Sequence, residues 1–186
     1  MPELRLAASS DIPSLQALIE LSVRTLSRGI YTPAQAEAAL GPVFGVDSQL
    51  IADGTYYVIE DDETLVAAGG WSHRLTLYGG DQAKREADPT LDPTLDPATM
   101  PARIRAFFVH PDWTRRGFAR QIFLECETAA AARGFRELEL VATLPGVPLY
   151  RALGFATVEP VVIPLSGDLT LPCVRMRRSI GYSSLS

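Results

Sequence analysis

The chain has 186 residues, of which 47% are apolar and 21% charged, and carries a net charge of −5. These are the proportions of one globular domain, long enough to bury a sizeable core. The acidic balance argues against nucleic-acid binding by the surface as a whole, and no apolar run is long enough to span a bilayer.

The opening residues, MPELRLAASSD, lack the apolar region of a secretory signal, so a cytoplasmic protein without membrane contact is expected. Leu4–Ala7 alternates and reads as a first strand. Ser10 or Asp11 then caps a helix with Pro13 in its first turn. Ile12, Leu15, Leu18, Ile19 and Leu21–Val23 recur at helical spacing, which predicts a helix over Ile12–Leu26. Thr32 and Pro33 start another, Pro33–Leu40, and Asp47–Asp53 forms a short turn of helix. Thr55–Glu60 and Leu65–Ser72 read as a hairpin about Asp61-Asp62-Glu63. Gly69 and Gly70, inside the returning strand, point to a bulge or a close backbone approach.

Residues 73–101 hold Gly79-Gly80 and the near-repeat DPTLDPTLDP, which predict a long irregular surface loop without helix or sheet. Such a loop suits a lid, a packing surface for a second subunit, or a disordered segment. Ile104–Val109 then reads as a strand buried on both faces, ended by Pro111. Asp112 and Thr114 are helix N-cap types, and Gly117, Phe118 and Ala119 lead into a helix over Gln121–Ala132. Arg136–Thr143 is a further strand. Pro145–Phe155 is a short helix closed by Gly154. Phe155–Ile163 and Leu169–Arg177 form a last hairpin about Ser166-Gly167-Asp168. Arg175, Arg177 and Arg178 read as a solvated strand edge, and Gly181–Ser186 as a disordered tail. The element order is that of an α/β domain with a mixed sheet.

The stretch Ile104–Arg120 organises the rest. A strand, a turn with arginines and a glycine, and a helix start bring free backbone amides and the positive helix end to one point, a site suited to a phosphate or pyrophosphate. By itself this pattern is as often a plain helix start with solvated arginines. What singles it out is the pair V-H-P-x-W-x-R-R-G-x-A and L-Y-x-x-x-G-F, over Ile104–Phe155, which resembles the GNAT superfamily of acyl-CoA N-acyltransferases.

The resemblance implies a single GNAT-like domain over residues 1–186. Its sheet would be mixed but mostly antiparallel, of about seven strands flanked by helices, and splayed between the fourth and fifth strands. It implies acetyl-CoA (coenzyme A) as cofactor and an amine acceptor as the other partner, and it is compatible with a homodimer. The backbone at Phe107, Phe108 and Val109 would pair with the pantetheine arm. The segment Arg115, Arg116, Gly117, Phe118, Ala119 and Arg120 would hold the pyrophosphate. Thr143 stands where many members carry asparagine, and would meet the pantetheine with a shorter side chain. Thr114 stands where glutamine or arginine is frequent, which removes a side chain but no amide. Tyr31, Phe44 and Gln49 lie in the segment that forms part of the acceptor pocket in the family; as residues alone, Tyr31 and Phe44 read equally as core.

Amine acylation needs an acid for the leaving thiolate, a donor for the oxyanion and a route for the amine proton. The resemblance assigns the acid to Tyr150 and the oxyanion donor to a backbone amide near Phe108 or Val109. The base is left open among His73, Glu60, Glu139 and Glu159, with His110 more suited to a structural role. Two scattered cysteines, Cys126 and Cys173, and two scattered histidines do not make ligand spacing, so no metal is expected. A non-catalytic acyl-CoA-binding sensor or partner module is the alternative, in which Tyr150→Phe would change nothing. A dinucleotide or P-loop site is disfavoured, because neither G-x-G-x-x-G nor G-x-x-x-x-G-K-[ST] follows a strand.

Overall fold

One seven-stranded sheet runs through the molecule in the order β1-β2-β3-β4-β5-β7-β6. A computed structural model describes residues 1–86 and 92–181. Its strands are β1 (Glu3–Leu6), β2 (Tyr56–Asp61), β3 (Thr64–Ser72), β4 (Ala102–Val109), β5 (Glu137–Thr143), β6 (Ala156–Pro164) and β7 (Thr170–Ser179). Its α-helices are α1 (Ile12–Leu26), α2 (Pro33–Ala39), α3 (Ser48–Ala52), α4 (Asp81–Glu86), α5 (Phe118–Ala132) and α6 (Val147–Ala152). Every strand pair is antiparallel except β4–β5.

The two long helices cover opposite faces. Ile122, Phe123, Cys126 and Ala130 of α5 are buried against Ile59, Ile104, Leu138 and Leu140. Leu15 and Leu18 of α1 are buried with Tyr56, Val58 and Ala68. Both helices therefore turn an apolar stripe to the sheet, which at roughly 25 cal/mol per Å² supplies most of their stability. α2 starts as its sequence suggests: Thr32 Oγ1 accepts from the Gln35 amide at 3.1 Å, and Gln35 Oε1 accepts from the Thr32 amide at 2.9 Å.

Several expectations need correction. Residues 73–101 are not wholly irregular, since Asp81–Glu86 is helical and Arg74 bridges to Thr94. Residues 87–91 and 182–186, with parts of the near-repeat and the tail, lie outside the described residues. β7 is not an edge strand but sits between β5 and β6. Its arginines are engaged accordingly: Arg175 and Arg177 reach Glu139, and Arg178 reaches Glu127. α5 begins at Phe118 and not Gln121, because Gly117, at φ 83°, makes the turn into it. Neither Asp112 nor Thr114 caps it. Trp71, near the end of β3, is core and 2% exposed. No helix among the described residues is long and apolar enough to cross a membrane.

Candidate active site

β4 and β5 pair only at Ala102–Leu138 and Arg103–Glu139. Beyond that point they part, so the backbone of β4 from Ile104 to Val109 has no ladder partner on its β5 side. At the fork lies an ion cluster. Glu139, 4% exposed, accepts from Arg103 Nη1 at 2.8 Å, from Arg175 Nη1 at 2.6 Å and from Arg177 Nη2 at 3.3 Å. Burial works to raise its pKa, but the Arg175 hydrogen bond and the neighbouring guanidinium charges overcome it and hold Glu139 below the ordinary value.

A β-bulge shapes the open part of β4. The register passes from Ala68↔Phe108 to Gly70↔Arg105, so Ala106 and Phe107 together face Gly69. Ala106 is left-handed at φ 55°, and the buried Tyr56 hydroxyl donates to its carbonyl at 2.9 Å. Gly69 is required here, since a Cβ would stand 2.8 Å from the Phe107 ring.

The gap between the strands holds a cavity of about 620 Å³. One end is the turn after β4. His110 Nδ1 accepts from the Asp112 amide at 3.2 Å and orders the short 3-10 turn Pro111–Trp113. Arg115 and Gly117 are then left-handed at φ 61° and 83°. The α5 start has no side-chain cap, and the first amides of a helix have no intrahelical acceptor. The result is a concave run of free N–H groups at a positive helix end. Arg115, Gly117, Phe118, Ala119 and Arg120 all line the cavity there. Arg116 does not. Its guanidinium lies 4.4 Å from the Trp113 ring centroid and donates to the Asp112 carbonyl at 3.4 Å.

Tyr150, from α6, lines the middle of the cavity with Phe107, Phe108, Val109 and Thr143. Its ring meets Phe107 edge-on at 6.3 Å and Phe155 at 5.9 Å. Burial raises its pKa above that of a free phenol, so the hydroxyl keeps its proton throughout the neutral range. Gly146 allows this packing, because a Cβ there would sit 3.2 Å from the Tyr150 ring.

Val23 and Leu26 of α1, with Phe44, Leu77 and Tyr78, also line the cavity. Tyr31 and Gln49 do not line it. Tyr31 is buried structure: its hydroxyl donates to the Pro172 carbonyl at 2.5 Å and accepts from the Leu144 amide at 2.9 Å. Gln49 donates to Asp53 at 2.9 Å. Leu77 and Tyr78 sit in the segment read as a featureless loop. A usable signal was Arg105, a charge inside the apolar run IRAFFV, which requires a partner. Its Nη2 reaches Asp47 at 2.9 Å and the Gly79 carbonyl, and its Nη1 reaches the Thr76 carbonyl at 3.1 Å.

None of the four base candidates lines the cavity. His73 lies against Arg133, at 3.0 Å, and burial and then Arg133 lower its pKa. Glu60 is bound by Arg5, Glu159 by Arg175, and Glu139 by the cluster at the fork. Among the described residues no group of three or more His, Cys, Asp or Glu is placed to hold a metal ion.

The sequence profile of the Acetyltransferase (GNAT) family matches residues 21–155. Among solved structures, a GCN5-related N-acetyltransferase from Rhodopseudomonas palustris superposes with a TM-score of 0.69 at 19% identity, covering 96% of each chain. PaiA N-acetyltransferase from Thermoplasma acidophilum, in complex with coenzyme A, gives 0.65 at 14% identity over 96% of this chain and 99% of the other. A GNAT family acetyltransferase from Brucella melitensis, in complex with acetyl-CoA, gives 0.56 at 14% identity over 97% of this chain and 89% of the other. At these identities the likeness bears on the fold. No curated protein sequence matches the chain significantly.

Proposed function

Since the chain belongs to the acetyltransferase (GNAT) family, we propose that its cavity binds acetyl-CoA and passes the acetyl group directly to a primary amine within a ternary complex. The observation that carries this reading is the coincidence, in one cavity, of an unpaired strand edge with a concave run of amides at a helix start. An extended amide-bearing chain suits the first and a pyrophosphate the second, and acetyl-CoA has both. Solved relatives were crystallised with coenzyme A or acetyl-CoA, which agrees with this fit.

In this reading the β4 backbone at Phe107, Phe108 and Val109 hydrogen-bonds the pantetheine as an added strand would. The amides of Gly117, Phe118, Ala119 and Arg120 hold the pyrophosphate, with Arg115 and Arg120 adding charge. Thr143 supports the pantetheine from β5. Arg116 is withdrawn from that set by its packing on Trp113. The amine nitrogen attacks the thioester carbonyl; a C–N bond forms, the C–S bond breaks with its electron pair going to sulfur, and the nitrogen gives one proton to solvent water. Tyr150 donates a proton to the leaving sulfur and regains one from solvent. A backbone amide near Phe108 or Val109 receives the developing oxyanion. The products are an N-acetyl amide and the coenzyme A thiol.

The test is thiol release from acetyl-CoA in the presence of primary amines, with the acetylated product identified by mass. Amine-dependent release is expected. Acetyl-CoA bound by folded protein with no release for any amine would leave the non-catalytic binding module.

A further inference from the structure

We infer that the acceptor is a primary amine carried on an uncharged, apolar body, gripped by a wall that Arg105 holds in place. The inference rests on the transfer reading above and concerns the apolar lining of the same cavity.

The apolar lining outside the fork comes from Val23, Leu26, Ile30, Phe44, Leu77 and Tyr78. Three of them stand at the mouth in water, with Leu26, Ile30 and Tyr78 respectively 38%, 51% and 40% exposed. Large apolar groups gathered round a concave opening mark a surface that a ligand covers. The wall is held in place from within. Arg105, 3% exposed, ties the carbonyls of Thr76 and Gly79 on either side of Leu77 and Tyr78. Asp47 anchors Arg105 at 2.9 Å and Lys84 at 2.8 Å. The loop is thus pinned with its two bulky residues at the cavity.

The charges that line the cavity are already committed: Arg115 and Arg120 to the pyrophosphate in the transfer reading, and Arg105 to the loop. Arg105 lines the cavity, but its guanidinium is engaged by Asp47 and two carbonyls, and so is not free to take a carboxylate. Among the described residues the lining contains no Asp, Glu, His or Lys, so nothing there pairs with a second ammonium. The polar groups that α1 and its C-cap contribute are the hydroxyls of Ser22 and Ser27, which suit one neutral amine. A second charge would be carried unpaired into an apolar pocket.

Three amines of similar reach separate the possibilities: phenethylamine, phenylalanine, which adds a carboxylate, and 1,4-diaminobutane, which adds an ammonium. With saturating acetyl-CoA, kcat/KM for phenethylamine should exceed that for either charged amine by about 100-fold, the penalty an unpaired charge imposes. Tyr78→Glu, at an exposed position outside the core, should raise KM for phenethylamine and improve use of 1,4-diaminobutane, with acetyl-CoA affinity unchanged. Equal or better use of phenylalanine or 1,4-diaminobutane by the wild type would overturn the inference and leave acetyl transfer standing. No acetylation of any of the three, with acetyl-CoA bound, would overturn the inference and leave transfer to the wider amine test above.

Discussion

In the proposed transfer Tyr150 serves as a phenol and not merely as a ring. The ring alone explains its packing between Phe107 and Phe155. The raised pKa keeps the hydroxyl protonated, which an acid for a departing thiolate requires. Tyr150→Phe keeps the ring and removes the proton. It should lower kcat by about 100-fold, at the lower end of what a general acid contributes, with acetyl-CoA affinity within about twofold. Steady-state kinetics beside a binding titration checks this; unchanged kcat would mean that the ring only packs. Tyr31 is the opposite case. Its place in the segment that forms part of the acceptor pocket in the family suggested an acceptor wall, while as a residue alone it read equally as core; it is core, and bridges Leu144 and Pro172 far along the chain. Nothing local in the sequence reveals a partner so distant. Tyr31→Phe should cost about 1–3 kcal/mol of stability, since the Leu144 amide loses its acceptor, and thermal unfolding measures it. Arg115 and Arg116 were indistinguishable as adjacent letters. Only the left-handed turn at Arg115 and the face of Trp113 separate them.

Among the elements, β3 and β4 carry the most specific demand. The paired glycines Gly69-Gly70 were legible as a bulge or close approach, and both occur: the register slips there, and the Phe107 ring lies where a Gly69 Cβ would be. Gly69→Ala should push the Phe107 ring and, through it, Tyr150. A cost of about 1–3 kcal/mol is expected for this overpacking, together with a raised KM for acetyl-CoA. Unfolding that matches the wild type would show that the ring has room to move. Helical periodicity and an early proline located α1 over Ile12–Leu26 as observed, although Asp11, at the N-cap position, makes no capping hydrogen bond and accepts from Arg5 instead. The start of α5 was misplaced because the residues that decide it, Gly117 and Arg115, act through backbone angles and not through apolar spacing. α4 was missed because six residues are too few to show a period, and they lie between glycines and a proline-rich run.

For the molecule as a whole, the parting of β4 and β5 is the feature on which everything else depends, and Glu139 sits at its base. Two arginines from β7 and one from β4 converge on that carboxylate, so β4, β5 and β7 are joined where the ladder ends. Glu139→Gln leaves Arg103 buried with its charge uncompensated. It should cost about 3–5 kcal/mol, or roughly 10 °C in Tm. Stability should also depend on acid. Arg5 hydrogen-bonds Asp11 and Arg74 hydrogen-bonds Asp53, holding both carboxyl groups, like Glu139, below their ordinary pKa values. The folded chain then binds fewer protons than the unfolded one in acid. Their contribution is complete above about pH 4.5 and is lost as pH falls through the folded values. Thermal unfolding followed from pH 7 to pH 3 should show a falling Tm in that lower range, and a shallower fall in Glu139→Gln. A Tm independent of pH there would contradict the assignment. The α/β order and the mixed sheet were legible from element sequence, and the resemblance supplied the splay. The ion cluster was not legible, because strand arginines read as solvent-facing until β7 is known to be internal.

The account stands on acetyl-CoA occupying the turn at the start of α5. The direct measurement is calorimetric titration of acetyl-CoA into the wild type and into Ala119→Glu. That substitution suits the first turn of a helix, so the fold should persist, but it places a carboxylate beside the amides that would hold the pyrophosphate. Binding by the wild type that Ala119→Glu loses by at least about tenfold is the predicted result. Equal binding by both, or none by a folded wild type, would mean that acetyl-CoA does not occupy that turn.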